Sequence, residues 1–159
     1  ARLCLDTFDA IRGVWPEDKP IGVRLSATDY LEGGWSLDDT VKLCGLLKGK
    51  GCDFATISSG GLSLEQNVPI GEGHQVEFAK TVRQETGLPV MAVGMIYRPE
   101  HAENIVASGD ADLVALARGM LHDPHWPWRA AAELNAEIHY PPQYIRGYKS
   151  RWHRDLRKC

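Results

Sequence analysis

An α/β fold built on a parallel β-sheet is what this sequence predicts, on three observations. Two apolar runs, Val90-Met91-Ala92-Val93 and Leu113-Val114-Ala115-Leu116-Ala117, are too short for buried helices and suit strands covered on both faces. The segment between them, 99–107, has a helical pattern that Ser108-Gly109 stops. The same alternation occurs upstream, where 21–26 and 54–58 read as strands. Four strand–helix units in strict succession call for a parallel sheet.

In chain order, residues 3–14 read as a helix whose Leu3, Phe8, Ile11 and Val14 share much of one face. No N-cap precedes it, which leads us to expect that the chain begins inside a longer helix. A polar loop, 16–20, leads to the strand 21–26, Ile-Gly-Val-Arg-Leu-Ser. Its Arg24 is costly to bury unless paired or hydrogen-bonded. A structural salt bridge and a ligand contact both account for it. After an irregular loop with Gly33-Gly34, Ser36-Leu37-Asp38-Asp39 fits a capping box with Asp39 in the place of the usual glutamate. The helix it opens runs to about residue 48, with Leu37, Val41, Cys44 and Leu46 or Leu47 facing inward. Strand 54–58 ends in Ser59-Gly60-Gly61, small residues that leave room for a ligand and are also ordinary turn formers. The long loop 62–73 precedes a helix over 74–85, with Val76, Ala79 and Val82 inward and Gly87 as its cap. Asp123-Pro124 supplies an N-cap and a first-turn proline for a helix to about residue 135. The remainder, 136–159, carries Tyr140, Tyr144, Tyr148, Trp152 and six basic side chains. A tail this aromatic is expected to dock on something. The domain reading is therefore a sheet-and-helix unit over 1–135 and a docking tail over 136–159.

The 159 residues carry a formal charge of −3, with 43% hydrophobic and 25% charged residues, the balance of an ordinary globular protein. That charge gives no reason to expect nucleic acid or an anionic membrane as partner. No apolar run is long enough to span a bilayer, and the first residues lack a signal-peptide pattern. Cys4, Cys44, Cys52 and Cys159 show no CxxC and no metal-type spacing. Buried thiols, no metal site and a reducing, cytoplasmic setting are the expectations.

The chemistry is expected at the outgoing strand ends. Gly94 closes the third strand, and Arg118-Gly119 closes the fourth. Four parallel strands are half of an eight-stranded (β/α)8 barrel, in which the loops after the last two strands commonly bind phosphate. An arginine fork matches phosphate, and a glycine lets the backbone approach it. A surface arginine after a core strand is the alternative, and a free-standing, doubly wound four-stranded sheet is the alternative architecture.

Five motifs carry a family resemblance: Val23-Arg24-Leu25-Ser26, Ser58-Ser59-Gly60-Gly61, Val93-Gly94-Met95-Ile96, Leu116-Ala117-Arg118 and Pro142-Gln143-Tyr144-Ile145-Arg146-Gly147-Tyr148. In this order and spacing the chain resembles the C-terminal half of the old yellow enzyme family, FMN-dependent NAD(P)H oxidoreductases and ene reductases. The closing Gln-Tyr-x-Arg-Gly-Tyr is similar to the thermophilic-like and xenobiotic reductase subclass. The resemblance implies an α/β fold comprising strands five to eight of a (β/α)8 barrel plus the C-terminal tail. It implies FMN at the strand ends and NADPH or NADH as reductant. Arg24 would lie by the flavin's N1 and C2 carbonyl, where a fixed cation stabilises the reduced ring. Gly94 and Met95 would offer backbone N–H groups to the phosphate, Arg118 would pair with it, and Ala117 would lend its backbone. Ser58, Ser59 and Gly60 would lie near cofactor or substrate. Arg146, with Tyr144, would reach a neighbouring subunit's site.

No segment matches that family's first four strands, its redox-tuning cysteine, flavin-ring glutamine, His-His or His-Asn carbonyl clamp or proton-donating tyrosine. The chain is accordingly expected to be a C-terminal fragment, inactive alone and without catalytic residues of its own. Its expected partners are the N-terminal half of the barrel, a second or further copy in a homodimer or homotetramer, and a small enone substrate. Two other readings stay open: a reductase-like terminal domain of a flavin hydroxylase acting on aromatic coenzyme A thioesters, and a non-catalytic half-barrel scaffold.

Overall fold

Four parallel strands, β1 (Gly22–Ser26), β2 (Phe54–Ser58), β3 (Val90–Ala92) and β4 (Leu113–Val114), lie side by side in chain order. This is seen in a computed structural model that describes residues 1–147. The helices are α1 (Arg2–Arg12), α2 (Leu37–Gly49), α3 (Val76–Thr86), α4 (Pro99–Ala107), α5 (Arg118–His122) and α6 (Trp126–Glu133), with a 3₁₀ helix at Pro142–Gly147. Crossovers between parallel strands are right-handed. When the strands also follow one another without reversal, every crossover helix falls on the same side. The packing agrees, since α1 rests on α2 and α2 on α3. A doubly wound sheet reverses its order at a switch point, and this sheet does not. It is an arc of a (β/α)8 barrel.

The register sorts the two faces. Ala55, Ile57, Val90 and Ala92 are fully buried and pair across β2 and β3 as Ala55 with Val90 and Ile57 with Ala92. They meet the buried faces of the helix layer, among them Leu43, Cys44 and Leu47 of α2 and Ala79 and Val82 of α3. The opposite face carries the row Arg24, Thr56, Met91, Leu113, whose two end members are exposed. That face corresponds to a barrel interior.

Local signals explain most element ends. Ser36 Oγ accepts from Asp39 N at 3.3 Å while Asp39 Oδ2 accepts from Ser36 N at 3.1 Å, so the capping box forms with aspartate. Gly87 takes φ 62° to close α3, and Lys48 Nζ donates to the Thr86 and Gly87 carbonyls at 2.8 and 3.1 Å. Cys44 and Cys52 are buried free thiols, and burial pushes the Cys44 thiol up to about 12. Cys159 lies outside the described residues.

Several expectations are corrected. Of the α1 face only Phe8 is buried, with Leu3 and Val14 82% and 84% exposed. Leu47 rather than Leu46 faces in, and Leu43 and Thr40 join it. Strand β4 stops at Val114, and Arg118 opens α5 instead of ending a strand, with Leu121 N donating to Ala117 O at 3.0 Å. Asp123 closes α5 in an extended conformation, the shape that a following proline imposes. The next helix therefore starts at Trp126, with His125 as N-cap.

The chain divides into two units, Ala1–Pro124 and the segment from His125. In the second, His125 stacks on Trp128 at 4.3 Å between centroids, and Tyr140 and Tyr144 approach the Trp128 ring at 4.9 and 5.0 Å. Tyr148, Trp152 and the last basic residues lie outside the described residues.

Asp112 staples the incoming ends of the sheet. Arg83 Nε donates to both of its oxygens at 3.1 Å, and Val90 N donates to Oδ2 at 2.9 Å. The Arg83 guanidinium, helped by the Val90 N–H, holds this carboxyl below its ordinary range. A lowered folded value stabilises above the unfolded value near 4, and that contribution disappears as pH falls through the folded value. The pair is about one-third exposed, so the expected contribution at neutral pH is about 1 kcal/mol. Asp112→Asn should lose it at pH 7 and flatten the acid limb below pH ~4. Urea unfolding from pH 3 to 7 checks this, and parallel curves for the two proteins would refute it.

Candidate functional site

A cleft of about 560 Å³ opens at the outgoing ends of the four strands. All eight residues expected at a cofactor site line it: Arg24, Ser58, Ser59, Gly60, Gly94, Met95, Ala117 and Arg118. They come from the outgoing parts of four successive strands and the turns that follow them, which the parallel register brings to one edge. The chain turns sharply there. Gly94 stands at φ 126°, and Met95, a non-glycine residue, at φ 50°, a combination that bends the backbone away from β3 as it leaves the sheet.

The electrostatics are one-sided. Two arginines and two histidines, Arg24, Arg118, His74 and His122, line the cleft, and among the described residues no carboxylate does. Arg24 Nη2 donates to Ser58 Oγ at 3.1 Å and has no carboxylate within ion-pair distance among the described residues. The Arg118 side chain is exposed and makes no hydrogen bond to protein among the described residues. An arginine at each end of a carboxylate-free cleft suits an anionic ligand that spans the strand ends.

The loop 62–73 is tethered to this edge. Glu72 accepts from Arg98 Nε at 2.8 Å and Nη2 at 2.9 Å and stands 3.1 Å from His101 Nδ1. The Arg98 hydrogen bonds hold the Glu72 carboxyl below its ordinary range. Gly73 N donates to Gly94 O at 2.8 Å. A second set of bonds lies deeper. Gln75 Nε2 donates to Ser59 O at 3.1 Å and to Ser59 Oγ at 2.8 Å, and Ser59 Oγ pairs with Tyr30 Oη at 2.8 Å. Gln66 Nε2 adds a bond to Asp29 O at 2.6 Å.

Sequence reasoning missed His74, Gln75, Tyr97 and His122 as lining residues. It placed His74 and Gln75 inside a helix, whereas α3 begins at Val76 and both precede it at the cleft wall. The available signal was Gly73, whose φ of 69° sets a turn there. His74 Nδ1 faces the Gly71 carbonyl at 2.9 Å, and since a carbonyl only accepts, Nδ1 carries the hydrogen.

Of the two tail residues expected at a neighbouring subunit's site, Tyr144 is half-exposed and leans on Trp128 of its own α6. Arg146 is exposed in the 3₁₀ helix. Among the described residues no His, Cys, Asp and Glu cluster could hold a metal ion, and no helix is long and apolar enough to cross a membrane.

Comparison with known proteins places this geometry in context. The profile of the NADH:flavin oxidoreductase / NADH oxidase family matches residues 1–137. The chain is 40% identical over 144 residues to an NADPH dehydrogenase of Geobacillus thermodenitrificans, covering 91% of this chain and 42% of that protein. It is 37% identical over 148 residues to the NADPH dehydrogenase of Listeria innocua, covering 93% and 43%. The chain thus spans about two-fifths of the curated relatives it matches. Among solved structures it is similar in fold to a 2-naphthoyl-CoA reductase in complex with 2-naphthoyl-CoA, with TM-score 0.76, 21% identity and coverage of 83% of this chain and 21% of that one. A histamine dehydrogenase from Rhizobium sp. 4-9 is similar at TM-score 0.68 and 21% identity, over 84% and 19%.

Proposed function

This chain belongs to the NADH:flavin oxidoreductase / NADH oxidase family, and from that premise we propose that it forms the FMN-binding part of an NAD(P)H-dependent ene reductase acting on α,β-unsaturated carbonyl compounds. FMN, when bound, supplies the hydride relay between nicotinamide and the alkene β-carbon. The observation that carries the reading is the carboxylate-free cleft with Arg24 at one end and Arg118 at the other. Its size falls in the usual range for cofactor sites. The residues present fit a flavin mononucleotide, which has an electron-accepting ring at one end and a phosphate at the other.

In this reading Arg118 clamps the phosphate, and the backbone at Gly94, Met95 and Ala117 closes round it. Arg24, steadied by the Ser58 hydroxyl, sets a fixed positive charge where the ring gains electrons. Ser59 and Gly60 shape the wall between them. The carbonyl clamp and the proton donor belong to the other half of the barrel, which packs on the open face bearing Thr56, Met91 and Leu113. Closure is required because open strand edges and a bare interior row do not persist alone, so these residues expressed alone are expected to be inactive. The complete enzyme is a cytoplasmic homodimer or homotetramer in which Tyr144 and Arg146 border a neighbouring subunit's substrate site.

The test uses the full-length enzyme. It should purify yellow with one FMN per chain, consume NADPH or NADH when 2-cyclohexenone is added, and run as a dimer or tetramer in light scattering. Arg146→Ala should raise the enone KM and leave flavin content unchanged. A colourless protein that takes up no FMN, or flavoprotein without enone turnover, would overturn the proposal. Arg24→Met addresses the ring end. A charged hydrogen bond contributes about 1.5–3 kcal/mol, so its loss should lower the two-electron midpoint by about 30–60 mV. A spectroelectrochemical midpoint equal to the parent's would refute this role for Arg24.

A further inference from the structure

We propose that Glu72 is a positioning residue: gripped by Arg98 and His101 of α4, its carboxylate clasps the loop 62–73 at the rim of the cleft and so sets how tightly the cleft holds its substrate. The proposal rests on the function proposed above and goes beyond it to three residues that do not line the cleft.

Burial does not hold this loop. From Gly61 to His74 no residue is buried, and Leu62, Leu64 and Ile70 are exposed. Its place is therefore set by polar attachments at two points. At the first, Gln66 Oε1 accepts from Leu62 N at 2.9 Å and from Ser63 N at 3.3 Å, while Nε2 donates to Asp29 O at 2.6 Å. At the second, Arg98 meets the Glu72 carboxylate as a fork, with Nε on Oε1 at 2.8 Å and Nη2 on Oε2 at 2.9 Å. His101 Nδ1 stands 3.1 Å from Oε1. A carboxylate only accepts, so Nδ1 carries the hydrogen. Between the two attachments lie Val68 and Ile70, which line the cleft.

The second attachment is a close fit. Arg98 is the N-cap of α4 and His101 follows three positions on, so the helix offers both donors on one side. Gly73 stands at φ 69°, and a Cβ on it would lie 2.7 Å from His101 Cε1. The loop backbone thus passes against the ring that binds Glu72. A bidentate fork gives a partly exposed ion pair more strength and direction than a single surface contact. Without the clasp, the Gly73 N bond to Gly94 O at 2.8 Å still attaches the loop, while the span with Val68 and Ile70 loosens. Ordering that span then falls on the binding step.

Nicking and kinetics of the full-length holoenzyme test the clasp together. Glu72→Gln keeps the shape and removes the charge. Subtilisin cleavage between residues 62 and 71 should quicken about fivefold, as the open form becomes more populated. The KM for 2-cyclohexenone should rise about fivefold, with kcat within about twofold of the parent's. Arg98→Met breaks the fork from the other side and should give the same pattern, also where Glu72→Gln does not fold. The double variant should be no worse than either single one, because both remove one clasp. Parent-like nicking in both variants would mean that there is no clasp. Faster nicking with a parent-like KM would mean that the loop does not shape binding. Cleavage spread along the whole chain with a lowered urea midpoint would mean general stabilisation. Each of these overturns the proposal. A parent without enone turnover would overturn the function proposed above and the substrate half of this inference, while nicking still reads the clasp.

Discussion

Gly94→Ala in the full-length enzyme is expected to cost more than tenfold in FMN affinity, although it adds a single methyl group. Gly94 sits at φ 126°, where a side chain is strained by about 1–3 kcal/mol. Its new Cβ would also stand 2.9 Å from Gln75 Oε1 and 3.2 Å from two atoms of the His74 ring. Neither neighbour yields easily. Gln75 is held by two bonds to Ser59, and His74 by its bond to Gly71 O. The backbone must therefore shift, and with it the N–H groups of Gly94 and Met95 that the proposed function assigns to the phosphate end. The Gly73 N bond to Gly94 O, 2.8 Å long, transmits that shift to the loop 62–73. Fluorescence titration of the apoenzyme with FMN measures the loss, and parent-like affinity would show that this turn does not shape the site.

Arg118→Ala should weaken FMN binding by about 1.5–3 kcal/mol, the range for a charged hydrogen bond, or about 10- to 150-fold. The structure makes the experiment selective. The Arg118 side chain is exposed and makes no hydrogen bond to protein among the described residues, so its removal leaves no buried group unpaired, and the apoenzyme Tm should stay unchanged. Arg118→Lys keeps the charge and loses the planar fork, so an intermediate affinity is expected. Riboflavin, which has no phosphate, should bind the parent and Arg118→Ala equally. FMN affinity equal to the parent's would remove Arg118 from the phosphate site.

Much of the fold was legible because it is encoded over a few residues. The capping box at Ser36 and Asp39 needs only its own four-residue spacing. Pro99 and Ser108 bracket α4 by local backbone constraints, and β2 occupies the run Phe54–Ser58 predicted for it. The strand-end glycines and arginines were legible for a related reason. In a parallel sheet every outgoing end reaches the same edge, so residues that follow successive strands meet without any knowledge of packing.

The sequence by itself determined the four strands, their alternation with helices and the parallel sheet, and its family resemblance named the eight residues at the outgoing edge. Only the tertiary structure decided how those pieces face one another. It put every crossover helix on one side, which separates a barrel arc from a doubly wound sheet. It left Leu3 and Val14 exposed on a helix whose periodicity promised a buried face. It showed Arg24 beside a hydroxyl and, among the described residues, without a carboxylate partner, and drew Gln75 out of the predicted helix to bond Ser59. Each of these depends on groups 16 to 34 positions apart or on which elements are neighbours. Periodicity and capping act through hydrogen bonds within about one helical turn, so they carry no information about such pairs until the chain has folded.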